Sequence, residues 1–168
     1  MSITVLGLDP ARVSGYSIFK DDKLLFSGVV SNAKQRQYVV KLAIETAGSA
    51  KKLYVYAEDW GYYGGGRQNQ GLGAGWGRWL EQFELCELTK ARIKRVKCAK
   101  WREGFFGRLP KRKTLREDYK RMAIAKVANL FKKEVDSDDE AEGILIGLHG
   151  VVTEKAIARS KAAKKRKK

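Results

Sequence analysis

Two periodicities of apolar and polar positions divide this chain. Ile3 to Leu8 is a short, nearly continuous apolar run rich in β-branched residues, which predicts a buried central strand ended by Asp9-Pro10. Residues 14–20 (SGYSIFK) and 24–31 (LLFSGVVS) predict two further strands, joined as a hairpin at the polar turn Asp21-Asp22-Lys23. Residues 34–48 predict a helix, and 53–57 (LYVYA) a second short apolar strand closed by Glu58. The following segment, GYYGGGRQNQGLGAG, predicts a glycine-rich mobile loop. From Leu72 the spacing becomes helical through Trp76, Trp79, Leu80 and Phe83, a stripe for the core or for a subunit contact. Residues 91–97 fit another strand. Residues 113–132 predict a helix with Tyr119, Ala123, Val127 and Leu130 on one face. An acidic turn, Asp136-Ser137-Asp138-Asp139, then opens a last helix from about 139 into the 150s. There is no internal repeat. The order predicts one α/β domain over residues 1–157, with a mixed sheet of about five strands flanked by helices. Residues 158–168 read as a basic, disordered tail.

Charge changes the picture more than composition does. The 168 residues carry 35 Lys plus Arg against 19 Asp plus Glu, a net charge of +16. Residues 151–168 hold +7 of this, which leaves a body that is still +9 and points to a polyanionic partner, nucleic acid before a membrane surface. Residues 90–116 contain twelve basic residues opposed only by Glu103. The two cysteines, Cys86 and Cys98, and a single histidine, His149, argue against structural zinc and a disulfide-stapled fold. The thiols read as reduced, the chain as cytoplasmic, and His149 as a packing residue. The N-terminal apolar run lacks the features of a signal peptide or membrane span.

In so basic a chain, the placed acids need a reason. Asp9 and Glu58 stand at the ends of apolar strands, and Asp139 and Glu142 are spaced i, i+3 so that both face one side of the last helix. Gathered together, such carboxylates repel one another unless divalent cations intervene, and hard oxygen ligands suit Mg²⁺ or Mn²⁺. Each also has an ordinary use: Asp9 closing a turn, Glu58 at an exposed strand end, Asp139 and Glu142 as a helix cap and its partner. Asp136 and Asp139 share the same spacing. Asp139 with Glu142 is preferred, because the apolar run Gly143–Ile146 directly follows the second acid.

GLDPARVSGYSIF resembles the opening of the RuvC-like Holliday junction resolvases, YVYAED their second acidic strand, and Asp139-Glu140-Ala141-Glu142 with the apolar residues after it their closing motif. The resemblance spans roughly residues 3–150. Glu142 stands where the bacterial pattern has Asp, a form closer to bacteriophage members, for which the location would be the host cytoplasm. The resemblance implies a ribonuclease-H-like fold, a homodimer, and hydrolysis of four-way DNA junctions to 5′-phosphate and 3′-hydroxyl ends. Asp9 would bridge two Mg²⁺ ions, which Mn²⁺ can replace, with Glu58, Asp139 and Glu142 completing their shells. Two ions about 4 Å apart stabilise both attacking and leaving oxygens.

DNA contacts are expected from Lys100, Arg102, Lys111, Arg112 and Lys113, and the resemblance implies that Arg102 and Lys113 stand nearest the scissile phosphate. The resemblance also implies that an aromatic ring of the glycine-rich loop stacks on a base, with Tyr62 or Tyr63 favoured (Trp60 packing inward), and Arg67 would meet phosphate. A two-fold substrate suits a two-fold dimer, with Trp76 or Trp79 in its interface or in the core. The competing readings are a looser nuclease for flaps, forks and three-way branches, a non-enzymatic DNA-binding recombination protein, and an RNA-directed nuclease.

Overall fold

The computed structural model describes residues 2–59, 67–88, 92–108 and 116–165, with residues 67–72, 116 and 165 described in their backbone only. Five strands form one mixed sheet: β1 (Thr4–Asp9), β2 (Ser14–Lys20), β3 (Lys23–Val30), β4 (Leu53–Asp59) and β5 (Ile93–Lys97). Their order is β3-β2-β1-β4-β5. The first three are antiparallel neighbours, and β4 and β5 run parallel to β1. Five helices flank the sheet: α1 (Ala33–Ala47), α2 (Arg67–Leu85), α3 (Cys98–Phe106), α4 (Arg116–Phe131) and α5 (Asp138–Lys165).

Strand alternation decides which side chain meets which layer. Leu6, Leu8, Val55 and Ala57 face α1 and α2, where they pack with Val39, Val40, Trp76, Trp79 and Phe83. Val5 and Tyr56 face the other way, into a second core formed with Ala123, Val127, Ile144 and Leu145 of α4 and α5. By the same parity, Asp9 lies on the α5 side with Val5 and Gly7, and Glu58 lies there with Tyr54 and Tyr56.

The strand limits and α1 agree with the sequence to within about two residues. Asn32 caps α1 by accepting from the Gln35 N–H, and Gly48 ends it at φ 78°, a left-handed conformation that glycine adopts without strain. Other expectations are corrected. The glycine-rich segment is helical from Arg67 onward, and one of its glycines, Gly75, abuts the Pro10 carbonyl. Trp76 and Trp79 are buried in the core of this chain, so neither serves a subunit interface. Leu130 is 48% exposed rather than part of the α4 contact face. Helix α3 was not expected. The tail expected to be disordered from 158 continues α5 to Lys165. Its Ala, Lys and Arg residues are strong helix formers, and cations at a helix C-terminus interact favourably with the backbone dipole. Among the described residues, no helix is long and apolar enough to cross a membrane.

Candidate metal centre

Glycines bring the acids together. The start of α5 lies so close to β1 and β2 that a methyl group at Gly15 would stand 1.6 Å from the Asp139 carbonyl oxygen. One at Gly7 would stand 2.4 Å from the Gly147 Cα, and one at Gly143 2.7 Å from the Gly15 carbonyl carbon. No side chain fits between these backbones. The Ser17 hydroxyl fastens the contact by donating to the Gly143 carbonyl at 2.8 Å. This approach, rather than any direct contact between strand acids, delivers Asp139 and Glu142 of α5 to the end of the sheet where β1 and β4 present Asp9 and Glu58.

Carboxylate oxygens of Asp9, Glu58 and Glu142 all lie within 4.8 Å of one another. Asp139 falls outside that set, although its charge reaches Asp9. Burial holds the Asp9 carboxyl well above the usual carboxylate range, and the charges of Glu142, Glu58 and Asp139 add to the shift. Burial likewise pushes Glu142 up to about 7, with Glu58 adding to it and Arg102 opposing.

Helix α3 holds two of these carboxylates through adjacent residues. Trp101, fully buried, donates its indole N–H to Glu58 Oε2 at 2.8 Å. Arg102 donates to Glu142 Oε1 at 2.8 Å, and its guanidinium stacks near Trp101 and Tyr119, 5.1 and 4.7 Å from the ring centroids. Arg102 Nε–H is buried without an acceptor among the described residues. From α2, Trp76 donates to the backbone carbonyl of Glu58 at 2.9 Å, which fixes the strand end itself. Cys98 opens α3 beside Glu58, and burial first, then that charge, pushes its thiol up to about 12. It is a neutral neighbour.

Among the described residues, three clustered carboxylates meet the Arg102 guanidinium in a site that already raises the pKa of two of them, and that donor set fits a hard divalent cation. Asp9, Glu58 and Glu142 would hold it, with Asp139 beside them, and a cation there supplies Lewis acidity and an activated water. A pH dependence follows. Asp9 and Glu142 bind protons more tightly in the folded chain than in the unfolded one. The metal-free protein is therefore expected to be most stable below about pH 4.5 as far as these groups are concerned. It should lose that contribution as pH rises through about 7, with Glu142 accounting for roughly 3 kcal/mol. Magnesium should reverse the trend, since it binds the ionised form. Thermal denaturation between pH 5 and 8, with EDTA or with Mg²⁺, checks both signs; an EDTA curve that rises with pH would contradict the electrostatics described.

A second expectation concerns Trp101. Trp101→Phe keeps the ring in the core but removes the donor that orients Glu58. Loss of such an outer-shell partner weakens metal binding by about 10–100-fold. Titration with Mn²⁺ followed by electron paramagnetic resonance should show this loss, and unchanged affinity would mean that the indole N–H does not position Glu58.

The remaining site expectations fare differently. Lys100 is exposed on α3 and makes no contact with the carboxylates. Arg67 begins α2, and its side chain lies outside the described residues, as do Trp60, Tyr62, Tyr63, Lys111, Arg112 and Lys113. Asp138 of the acidic turn pairs with Lys120 at 3.0 Å, and Asp136 is exposed. His149 packs edge-on against Tyr56, with ring centroids 6.4 Å apart. The sequence reading missed Trp101. Its only signal was an aromatic residue inside a basic run, directly before Arg102.

No protein-family model matches the chain, and no curated protein matches it. Solved structures do. The Thermus thermophilus RuvC structure aligns over 92% of this chain and 97% of its own, with a TM-score of 0.61 at 14% identity. T. thermophilus RuvC in complex with Holliday junction substrate aligns over 92% and 96%, with a TM-score of 0.63 at 14% identity. At that identity the likeness speaks for architecture: the chain has the RuvC-like, ribonuclease-H-like fold.

Proposed function

We propose that this protein is a divalent-metal-dependent endonuclease that resolves four-way DNA junctions by paired phosphodiester hydrolysis, leaving 5′-phosphate and 3′-hydroxyl ends. The observation that carries the reading is the convergence of Asp9, Glu58 and Glu142 within 4.8 Å on a strongly basic chain of RuvC-like fold. Asp9, Glu58, Asp139 and Glu142 are the proposed catalytic carboxylates, and two Mg²⁺ ions the proposed cofactor. Arg102, whose buried Nε–H has no acceptor among the described residues, is proposed to meet a phosphate oxygen once the cation has taken over the charge of Glu142.

Lys100, Arg67, the Lys111-Arg112-Lys113 run and the basic end of α5 are proposed to hold the DNA backbone, and Tyr62 or Tyr63 to stack on a base. The proposed active form is a homodimer, because two matched nicks need two sites. The glutamate at position 142, in place of aspartate, is the feature that favours a bacteriophage-type member.

Purified protein with Mg²⁺, Mn²⁺ or EDTA should be offered synthetic four-way junctions, forks, flaps and linear duplex. The expected result is metal-dependent cutting of the junction above all others. Equal cutting of flaps and forks would replace junction resolution with a looser branched-DNA nuclease, and binding without cutting under any metal would remove the enzyme reading.

A further inference from the structure

On the α1 and α2 side of the sheet, away from the carboxylates, an open cavity of about 310 Å³ collects three arginines: Arg12 from the β1–β2 loop, Arg36 from α1 and Arg78 from α2. Among the described residues its single acid is Glu81. Ser31 and Asn32 line the wall at the start of α1, where the Asn32 side chain takes the Gln35 N–H and those of Ala33 and Lys34 have no helical acceptor.

Arg36 is the unusual member. It occupies the apolar face of α1, in helical register with Val39, Val40 and Ala43, and only 2% of its surface is exposed. Among the described residues no carboxylate pairs with it. One terminal nitrogen donates to the Arg12 carbonyl at 2.9 Å, the guanidinium lies 5.9 Å from the Trp79 ring centroid, and Nε–H is buried with no acceptor. Burial and the charge of Arg78 both lower the pKa of Arg36, so the cluster is electrostatically strained in isolation. A buried cation without a counter-charge is costly, and an anion seated among three guanidiniums and a helix N-terminus would relieve it.

We propose that this cavity is a phosphate site that seats a backbone phosphodiester of the DNA strand passing the metal centre. The assignment rests on the nucleic-acid reading above. Continuity favours a strand phosphate over a free metabolite, since Arg12 stands three residues after Asp9, on the loop that leaves β1. That loop is pinned by the Ser14 hydroxyl donating to the Ala11 carbonyl, and by Trp79 donating to Ser14. The cavity is also open, and no aromatic ring among the described residues lines it to receive a base.

The test uses the full chain with Arg12→Gln/Arg78→Gln, both exposed, and leaves Arg36 intact because its removal would open the core beside Trp79. Lys20→Gln/Lys23→Gln, exposed at the far turn of the hairpin, controls for loss of charge, and Glu81→Gln removes the opposing acid. Two quantities are read: the rise in Tm caused by inorganic phosphate at constant ionic strength, and the slope of log Kd for DNA against log salt.

The wild-type protein should gain Tm with phosphate, Glu81→Gln should gain more, and the arginine pair should lose most of the gain. The arginine pair should also lower the salt slope by about one, the value for one phosphate contact, with the lysine control unchanged. A phosphate effect that disappears in the arginine pair while the slope stays at the wild-type value would overturn the strand assignment in favour of a free phosphate or phosphorylated small molecule. Absence of both effects would overturn the site itself. A phosphate effect in a protein that binds no DNA would mark failure of the nuclease reading, and of the strand assignment with it, while the anion site stands.

Discussion

Asp9→Asn is expected to abolish metal-dependent cleavage while leaving junction binding intact or tighter. Asp9 sits under the charges of Glu58, Asp139 and Glu142, so the substitution removes a proposed ligand and a repulsive charge together. A bound cation contributes several kcal/mol of transition-state stabilisation, so its loss should slow cleavage by roughly a thousandfold or more. The metal-free protein should at the same time become more stable near neutral pH, since a buried carboxylate no longer has to be kept protonated. Stability and activity therefore move in opposite directions, which distinguishes a metal ligand from a structural acid. In cleavage, Glu58→Gln and Glu142→Gln should be as inactive as Asp9→Asn, whereas Asp136→Asn should cleave normally. A dead Asp136→Asn beside an active Glu142→Gln would place the acidic turn in the wrong register.

Gly15→Ala should have the largest effect on the fold. A methyl group 1.6 Å from the Asp139 carbonyl oxygen runs into the Asp139–Glu140 peptide and has no rotamer to escape through. Strand β2 and the start of α5 would have to separate, loosening the Ser17 hydrogen bond and displacing Asp139 and Glu142 from Asp9. A cost of about 3 kcal/mol is expected, at the upper end for overpacking. Urea denaturation reads the stability, and Mn²⁺ titration should show metal binding lost with it. Gly77→Ala, on an exposed turn of α2 with nothing within 4 Å of the added carbon, should be neutral or slightly stabilising. Equal tolerance at both positions would mean that α5 does not depend on glycine packing to reach the sheet.

The sheet and its acids were legible because β1 and β4 are short, nearly continuous apolar runs, each closed by an acid, and side chains alternate along any strand. Once Leu6 and Leu8 face one layer, Asp9 must face the other, and Glu58 follows by the same count in β4. The glycines were legible only as motif letters; their reason, backbone against backbone at Gly15, Gly143 and Gly7, is a tertiary fact. Helix α3 escaped because its nine residues offer too little apolar periodicity, and its role lies in two adjacent polar reaches, Trp101 to Glu58 and Arg102 to Glu142. The end of α5 escaped because a run of Lys, Arg and Ala reads equally as solvated coil or exposed helix. Arg36 was readable in principle, since it shares the i, i+3, i+4, i+7 face of α1 with Val39, Val40 and Ala43, a position where arginine is out of place.

The most direct measurement is cleavage of a four-way junction held in a closed circular DNA, followed through the first turnover with Mg²⁺, with EDTA, and with the Asp9→Asn protein. Metal-dependent hydrolysis at Asp9, Glu58 and Glu142 predicts linear product from two symmetric nicks, with ends that ligase reseals directly, and no product in EDTA or with Asp9→Asn. Undiminished cutting in EDTA, or by the Asp9→Asn protein, would contradict it.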